Sequence, residues 1–364
     1  MRQATMYPRL EIHMDKIKEN VENLYNLCHE NGVALTGVVK GCNAKEEVTE
    51  IFEFANYHSI GSSRVSQIKK MKENGLKTPM MLVRIPMLSE LEELVQYGDI
   101  SLNSDKKTLI ELNEWAKKYD KEHKVVLMAD LGDLREGVWD KDEFVALAQF
   151  VEAELDNLML YGIGTNLGCY GSIRPSIDNM TQLAELAERV EAIIERPLDI
   201  VSGGATTSVP VIVDGKMPKK VNHLRVGEGI LLARDLTTPD FCYLDYMHYD
   251  TFVLTAQVVE IQIKPSHPVG ELYIDAFGNR PTYTDIGMRK RVLLAVGRQD
   301  FGHHDSLRAI DDGITIVGSS SDHLIVDVTE SEKNVEIGDT ISFTLYYQAM
   351  LFLSLCEDVH KVLL

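Results

Sequence analysis

The alternation of apolar and polar positions changes character once along the chain. From Leu10 to about Asp235, short apolar runs alternate with segments of helical period. Asp15–Asn31 puts Ile17, Val21, Leu24 and Cys28 on one face and predicts a helix. Ala34–Lys40 follows as a β-branched run that reads as a strand buried on both sides. Further helices are expected at Ala44–Asn56, Arg64–Asn74 (stopped by Gly75), Leu88–Gln96, Asp105–Glu122 (capped by Ser104), Asp142–Glu154, Ser176–Glu195 and, briefly, from Thr206. Strands are expected between them at His58–Gly61, Met80–Ile85, Asp99–Asn103, Lys124–Asp130, Leu158–Thr165, Pro197–Ser202 and Val221–Val226. About eight strands alternating with helices is the order of a (β/α)8 TIM barrel. A doubly wound open sheet is the alternative; the count and the brevity of the strands favour the barrel.

After about Pro239 the helical period disappears. Thr251–Ile263, Glu271–Asp275, Arg291–Val296, Ile314–Val317, Leu324–Val328 and Thr340–Leu345 read as strands separated by Gly and Asp turns, with no long helix between them. The expected organisation is an α/β barrel over residues 1–236 and a C-terminal all-β domain over residues 237–364, with Leu236–Asp250 as the crossing.

Composition narrows the function classes. A formal net charge of −19 argues against a nucleic-acid partner, whose phosphates need a basic face. No apolar run is long enough to span a bilayer, and no signal peptide is read at the start, where Met6 is a candidate second initiation site. The five cysteines (Cys28, Cys42, Cys169, Cys242, Cys356) are odd in number and form no CxxC pair. Neither a disulfide framework nor a structural zinc site is indicated, and a reducing cytoplasm is the simplest home.

Barrel enzymes place their chemistry on the loops at the carboxyl ends of the strands. Lys40 stands there. Desolvation would lower its pKa and make it a usable nucleophile for a carbonyl, whereas a lysine that simply meets solvent is the bland alternative. Two loops suit an anion: Val201-Ser202-Gly203-Gly204-Ala205-Thr206-Thr207, and Leu224-Arg225-Val226-Gly227-Glu228-Gly229. Asp130 and Arg135 are candidates to face the mouth, against the reading of a solvated salt-bridge loop. Asn166 and Cys169 fall near it as well. His303-His304-Asp305 suggests a metal, but adjacent histidines rarely share one ion and no third ligand is obvious, so no metal is expected. A lysine at one strand end, a phosphate cradle at another and an arginine at the last suggest one cofactor, pyridoxal 5'-phosphate. A permanently charged arginine opposite the ring nitrogen weakens the electron sink, which suits racemisation better than transamination.

Four stretches carry a family resemblance: Asp133–Trp139, Gly162–Gly171, Ile200–Gly204 and Gly297-Arg298-Gln299-Asp300. On these the chain resembles, over nearly its whole length, the fold-type III pyridoxal-phosphate enzymes typified by alanine racemase, and more closely the ornithine racemase branch. The resemblance implies a barrel with a C-terminal β domain, working as a head-to-tail homodimer on an amino-acid substrate. It implies Lys40 as the Schiff-base lysine and one proton-transfer base, and Arg225 facing the pyridine nitrogen. It places Ser202, Gly203, Gly204, Thr206, Gly227 and Glu228 around the phosphate, the last two through backbone amides, with Tyr347 contacting phosphate from the β domain. Arg135 matches an arginine near the cofactor's phenolic oxygen and the substrate carboxylate, and Asp322 falls in a loop that reaches the partner's site. Asn166 stands where alanine racemases usually carry a histidine beside the ring, and Met128 where some members carry a modified lysine. Phe277, in Asp275-Ala276-Phe277-Gly278, stands where the family has its second, tyrosine base; Tyr283, Asp275 and Cys169 are the alternatives for that role. The expected activity is interconversion of L and D amino acids, ornithine first, then a related basic amino acid or alanine. The rivals are a lyase of the D-threonine aldolase type and a non-catalytic cofactor-homeostasis protein.

Overall fold

The computed structural model describes residues 6–239 and 241–364. The stretch ahead of Met6, and Asp240 within the expected crossing, lie outside the described residues. Two compact units are formed. One spans Ile17–His248; the other comprises Tyr249–Leu364 together with the described N-terminal residues up to Lys16.

The first strand, β1 (Arg9–Ile12), buries Leu10 and Ile12 and exposes the alternate positions more. It pairs antiparallel with Phe252–Thr255 and parallel with His360–Leu363. The N-terminal strand thus belongs to the C-terminal sheet, a placement that a division at 236/237 does not provide for. Its reason is the orphan ladder: both faces of the strand's backbone find partners there.

In the first unit β2 (Ala34–Val38), β3 (Ser59–Ser62), β4 (Met80–Leu82), β5 (Ile100–Asn103), β6 (His123–Met128), β7 (Leu158–Gly164), β8 (Ile200–Ser202) and β9 (His223–Val226) close into a parallel barrel. Closure removes the open-sheet alternative. The helices between strands follow the predicted periods, trimmed at their ends. The helix Lys106–Lys118 is capped by Asp105, not Ser104, because the Asp105 carboxylate accepts from the Thr108 amide at 2.9 Å. Ser176 and Asn179 cap Ile177–Ile194 reciprocally. One side of the barrel core is apolar, with Met81, Ile100, Leu102, Val126, Met128 and Ile200 buried against one another. Each such side chain contributes about 1.5–3 kcal/mol of burial.

The barrel walls also bury polar groups, several of them paired with one another. Ser101 and His123 are joined at 2.9 Å, and Asn103 reaches both the hydroxyl and the carbonyl of Ser101. Burial pushes the His123 imidazole down from 6.5 to about 4. An unfolded chain therefore binds a proton between those values that the folded chain does not. The contribution of His123 to stability is complete above about pH 6.5 and is lost as pH falls toward 4, at about 1.4 kcal/mol per pH unit. We expect His123→Gln to flatten the stability-versus-pH curve in that window, measured by denaturant titration at stepped pH; an unchanged slope contradicts the account.

In the second unit the strands run in the order Leu307–Ala309, Thr340–Leu345, Phe252–Pro265, Met288–Leu294, Leu324–Asp327 and Thr315–Ser319. Two expectations are corrected. Residues 271–275 form no strand: Glu271, Leu272, Tyr273 and Ile274 lie exposed, and the half-buried Asp275 carboxylate bends the chain by accepting from the amides of Phe277 and Asn279 at 2.9 and 2.7 Å. A helix, Tyr347–Leu355, follows the strand Thr340–Leu345 and buries Ala349, Met350 and Leu353. Its run is apolar nearly all round, so its sequence carries no clear period. All five cysteines are free.

Candidate active site

The first unit gathers its chemistry where the barrel strands end. β2 stops at Val38, and Lys40 opens a single tight turn, Lys40–Cys42. The turn is held by the Ala44 amide on the Val39 carbonyl (3.0 Å) and the Asn43 amide on the Lys40 carbonyl (3.2 Å). Asn43 and Ala44 take positive φ values of 54° and 47°, a conformation that the turn imposes. Lys40 is partly buried instead of meeting open solvent. Burial pushes its ammonium below the usual lysine range; the charges of Arg135 and Arg225 push the same way, and Cys169 and Glu136 partly offset them. These five residues therefore share one electrostatic neighbourhood at the barrel mouth.

Two loops bring Arg135 and Cys169 there. In the loop after β6, Asp130 caps the chain by accepting from the amides of Gly132 (2.8 Å) and Leu134 (3.2 Å). Asp133 reaches across to the loop after β7 and accepts from the amides of Cys169 (3.3 Å) and Tyr170 (3.1 Å). Arg135 lies 2.9 Å from the Cys169 sulfur and pairs with Glu136. Asp130 is thus a structural cap, while Arg135 is a guanidinium at the mouth. Asn166 is partly buried at the start of the second loop, and Met128 is fully buried in the apolar core.

The loops after β8 and β9 are stitched together: the Thr206 hydroxyl accepts from the Gly229 amide at 3.0 Å. Gly204 has φ +112°, which an L side chain rarely adopts. A Cβ on Gly227 would stand 3.0 Å from the Val38 carbonyl oxygen, so the backbone passes close beside the end of β2. Glu228 turns its carboxyl back to accept from the Arg234 amide at 2.8 Å, which leaves its own amide at the start of the short helix Glu228–Leu231. Burial, followed by the charge of nearby Asp235, pushes that carboxyl above the usual carboxylate range.

Arg225 is buried on β9. Burial pulls its guanidinium down to about 10, so it remains charged at neutral pH. It donates to the Thr165 carbonyl at 2.9 Å and to the Ser202 hydroxyl. Ser202 is thereby committed to Arg225 and to His223, 2.8 Å away on its other side. Sequence reasoning missed His223. The available signal was the spacing His223-Leu224-Arg225, which puts both polar residues on one face of a strand.

The donor set fits pyridoxal phosphate. Lys40 offers an amine for an aldehyde, and Gly203, Gly204, Thr206, Gly227 and Glu228 form a glycine- and hydroxyl-lined turn pair for a phosphate. Arg225 offers a donor for a ring nitrogen. The Thr165 hydroxyl, buried at the carboxyl end of β7, has no partner among the described residues and marks polar space there.

Asp322 and Tyr347 belong to the other unit. Asp322 is exposed and accepts from the Gln299 amide nitrogen at 3.1 Å, and Tyr347 is the first residue of the helix Tyr347–Leu355. The Arg298 guanidinium lies 3.9 Å over the Phe277 ring. His303, His304 and Asp305 bring ligand atoms within 4.8 Å of one another, and His303 and Asp305 pair at 3.2 Å.

Comparison with known proteins places this architecture. The model of the alanine racemase N-terminal domain matches residues 12–235. The chain is 41% identical to the ornithine racemase of Acetoanaerobium sticklandii, over 99% of this chain and 100% of that protein. It is 34% identical to the lysine racemase of Thermotoga maritima, over 98% of each. An alanine racemase structure from Clostridium difficile 630 superposes with a TM-score of 0.75 at 17% identity, covering 100% of this chain and 97% of that one. Among the described residues no helix is long and apolar enough to cross a membrane.

Proposed function

This chain belongs to the alanine racemase family, and we infer from that membership and from the barrel mouth that it is a pyridoxal-phosphate-dependent amino-acid racemase, acting on ornithine in preference to other amino acids. The observation that carries the reading is the meeting of Lys40, Arg135 and Arg225 at one end of the barrel. The cofactor supplies, when bound, an electron sink that acidifies the Cα–H of an attached amino acid. Lys40 would hold it through its aldehyde, and its lowered pKa would let the amine, once replaced by the substrate's, take and return the Cα proton on one face. Arg225 would face the ring nitrogen, where its fixed charge would oppose protonation and keep the sink weak, favouring prompt return of the proton. Arg135 binds the substrate carboxylate, steadied by Glu136. Gly203, Gly204, Thr206 and the amides of Gly227 and Glu228 would hold phosphate, while Ser202 serves Arg225. Asn166 would stand beside the ring.

The working form is a head-to-tail cytoplasmic homodimer, in which Asp322 of each chain completes the other's site. An acidic wall there suits the second amine of ornithine. The opposite face of Cα needs a group other than Phe277, whose ring has no exchangeable proton.

Incubation of the cofactor-loaded protein with single enantiomers in D₂O tests this. We expect deuterium at Cα by NMR together with the opposite enantiomer by chiral chromatography, fastest for ornithine. Lysine turned over faster than ornithine would overturn the substrate, and inversion of no amino acid would overturn the racemase.

A further inference from the structure

Inside the barrel, hydrogen-bonded polar groups run on from Arg225. Ser202 Oγ lies 2.8 Å from His223 Nδ1, and His223 Nε2 lies 2.9 Å from Thr36 Oγ1. Thr36 Oγ1 lies 2.6 Å from Ser59 Oγ, which is 3.3 Å from His58 Nδ1, and His58 Nε2 lies 2.8 Å from the Tyr161 hydroxyl. Thr36, Ser59, Ser202 and His223 are fully buried. β3 and β7 are not neighbours in the barrel, so the His58–Tyr161 bond crosses its interior.

We propose that His223 is a positioning residue for Arg225, the pivot of one directed hydrogen-bond chain Arg225–Ser202–His223–Thr36–Ser59–His58–Tyr161. The direction follows from proton counting. A guanidinium has only donors, so Ser202 must accept from it. The Ser202 proton then has His223 Nδ1 as its acceptor. A neutral imidazole with Nδ1 accepting carries its proton on Nε2 and gives it to Thr36. The Thr36 proton goes to Ser59, since its other neighbour, the Met81 sulfur, is a weak acceptor 3.8 Å away. Ser59 in turn donates to His58 Nδ1, and His58 Nε2–H donates to Tyr161. Every dipole thus presents its negative end toward Arg225.

Burial, followed by the nearby His58 and Arg225, holds His223 neutral, as the chain requires. Burial likewise lowers His58, with Lys124 and Asp199 as the charges beside it. Two anchors, Ser202 and the Thr165 carbonyl, then fix the plane of the guanidinium. The functional part of the proposal rests on the racemase reading; the direction of the chain does not.

The test uses the full-length, ¹⁵N-labelled protein. Long-range ¹H–¹⁵N NMR without added cofactor is expected to show His223 and His58 as Nε2–H tautomers, with His223 unchanged between about pH 6 and 8. Ser202→Ala, which removes the donor to Nδ1, is expected to mix the tautomers of His223. A wild-type His223 that carries its proton on Nδ1, or titrates in that range, overturns the chain whatever the enzyme does. In the cofactor-loaded enzyme, His223→Leu is expected to lower kcat on the order of tenfold with KM little changed. His223→Gln keeps an acceptor and a donor at the pivot and is expected to recover most of the rate. Wild-type kcat in both variants, or equal loss in both, overturns the positioning role. Should the leucine variant not fold, the glutamine variant compared with wild type decides: a loss of rate as large as tenfold in it overturns the role.

Discussion

Replacing Lys40 with alanine is expected to abolish racemisation, with a loss of about 10³-fold or more, since on the proposed reading the change removes both the amine that holds the cofactor and one proton-transfer base. The loss follows from position. Lys40 stands two residues beyond the end of β2, in a turn that keeps it partly buried beside Arg135 and Arg225. The same turn depends on backbone bonds from Asn43 and Ala44, none of which involves the lysine side chain. The variant should therefore fold with the thermal midpoint of the wild type and still lose turnover. Retained turnover at the wild-type rate would show that another group holds the cofactor.

Removing the guanidinium of Arg225 should have the second largest effect. In Arg225→Met the Ser202 hydroxyl and the Thr165 carbonyl lose their donor inside the barrel, at about 1–3 kcal/mol for each unsatisfied group, partly offset because a buried cation no longer needs to be desolvated. On the proposed reading, the fixed charge that opposes protonation of the ring nitrogen is lost as well. We expect kcat for racemisation to fall by about 10²-fold, a magnitude typical of removing one preorganised electrostatic group. We also expect a side reaction that yields the keto acid to become measurable, because a stronger sink lets the proton return elsewhere. Steady-state rates together with keto-acid assay check this. A variant with wild-type kcat and no keto acid would remove Arg225 from the mechanism.

Much of the site was legible because it rests on local chemistry. The apolar run from Ala34 ends on one lysine, and the Gly203-Gly204 and Gly227 turns follow strands, so the barrel order alone pointed to the strand ends. What was not legible depends on partners distant in the chain. The alternation of Leu10 and Ile12 marks β1 as a strand, yet nothing local says that it pairs with residues some 240 positions away. Glu271–Asp275 has the composition of a strand but no partner; Asp275 makes a turn there instead. Tyr347–Leu355 is too uniformly apolar to show a period. Thr36, Ser59 and His223 each look like an isolated polar residue in a strand, and only folding brings them into one line. Ser202 shows the same limit: its place beside two glycines suggests phosphate, while its hydrogen bonds commit it to Arg225.

Arg135 illustrates a further point. Its stretch, dense with charge, reads equally as a solvated loop or as part of the mouth. Asp133 resolves this, because its carboxylate ties the loop after β6 to the loop after β7 and so brings Arg135 against Cys169.

The central claim is that Lys40 carries the cofactor in an amino-acid racemase. Its most direct test is borohydride reduction of the pyridoxal-phosphate-loaded protein, followed by proteolysis and mass-spectrometric mapping of the pyridoxyl label. The account predicts the label on the peptide that contains Lys40, and its loss from that peptide when excess ornithine is present during reduction. A label on another lysine, or none on a protein that still inverts ornithine, would contradict it.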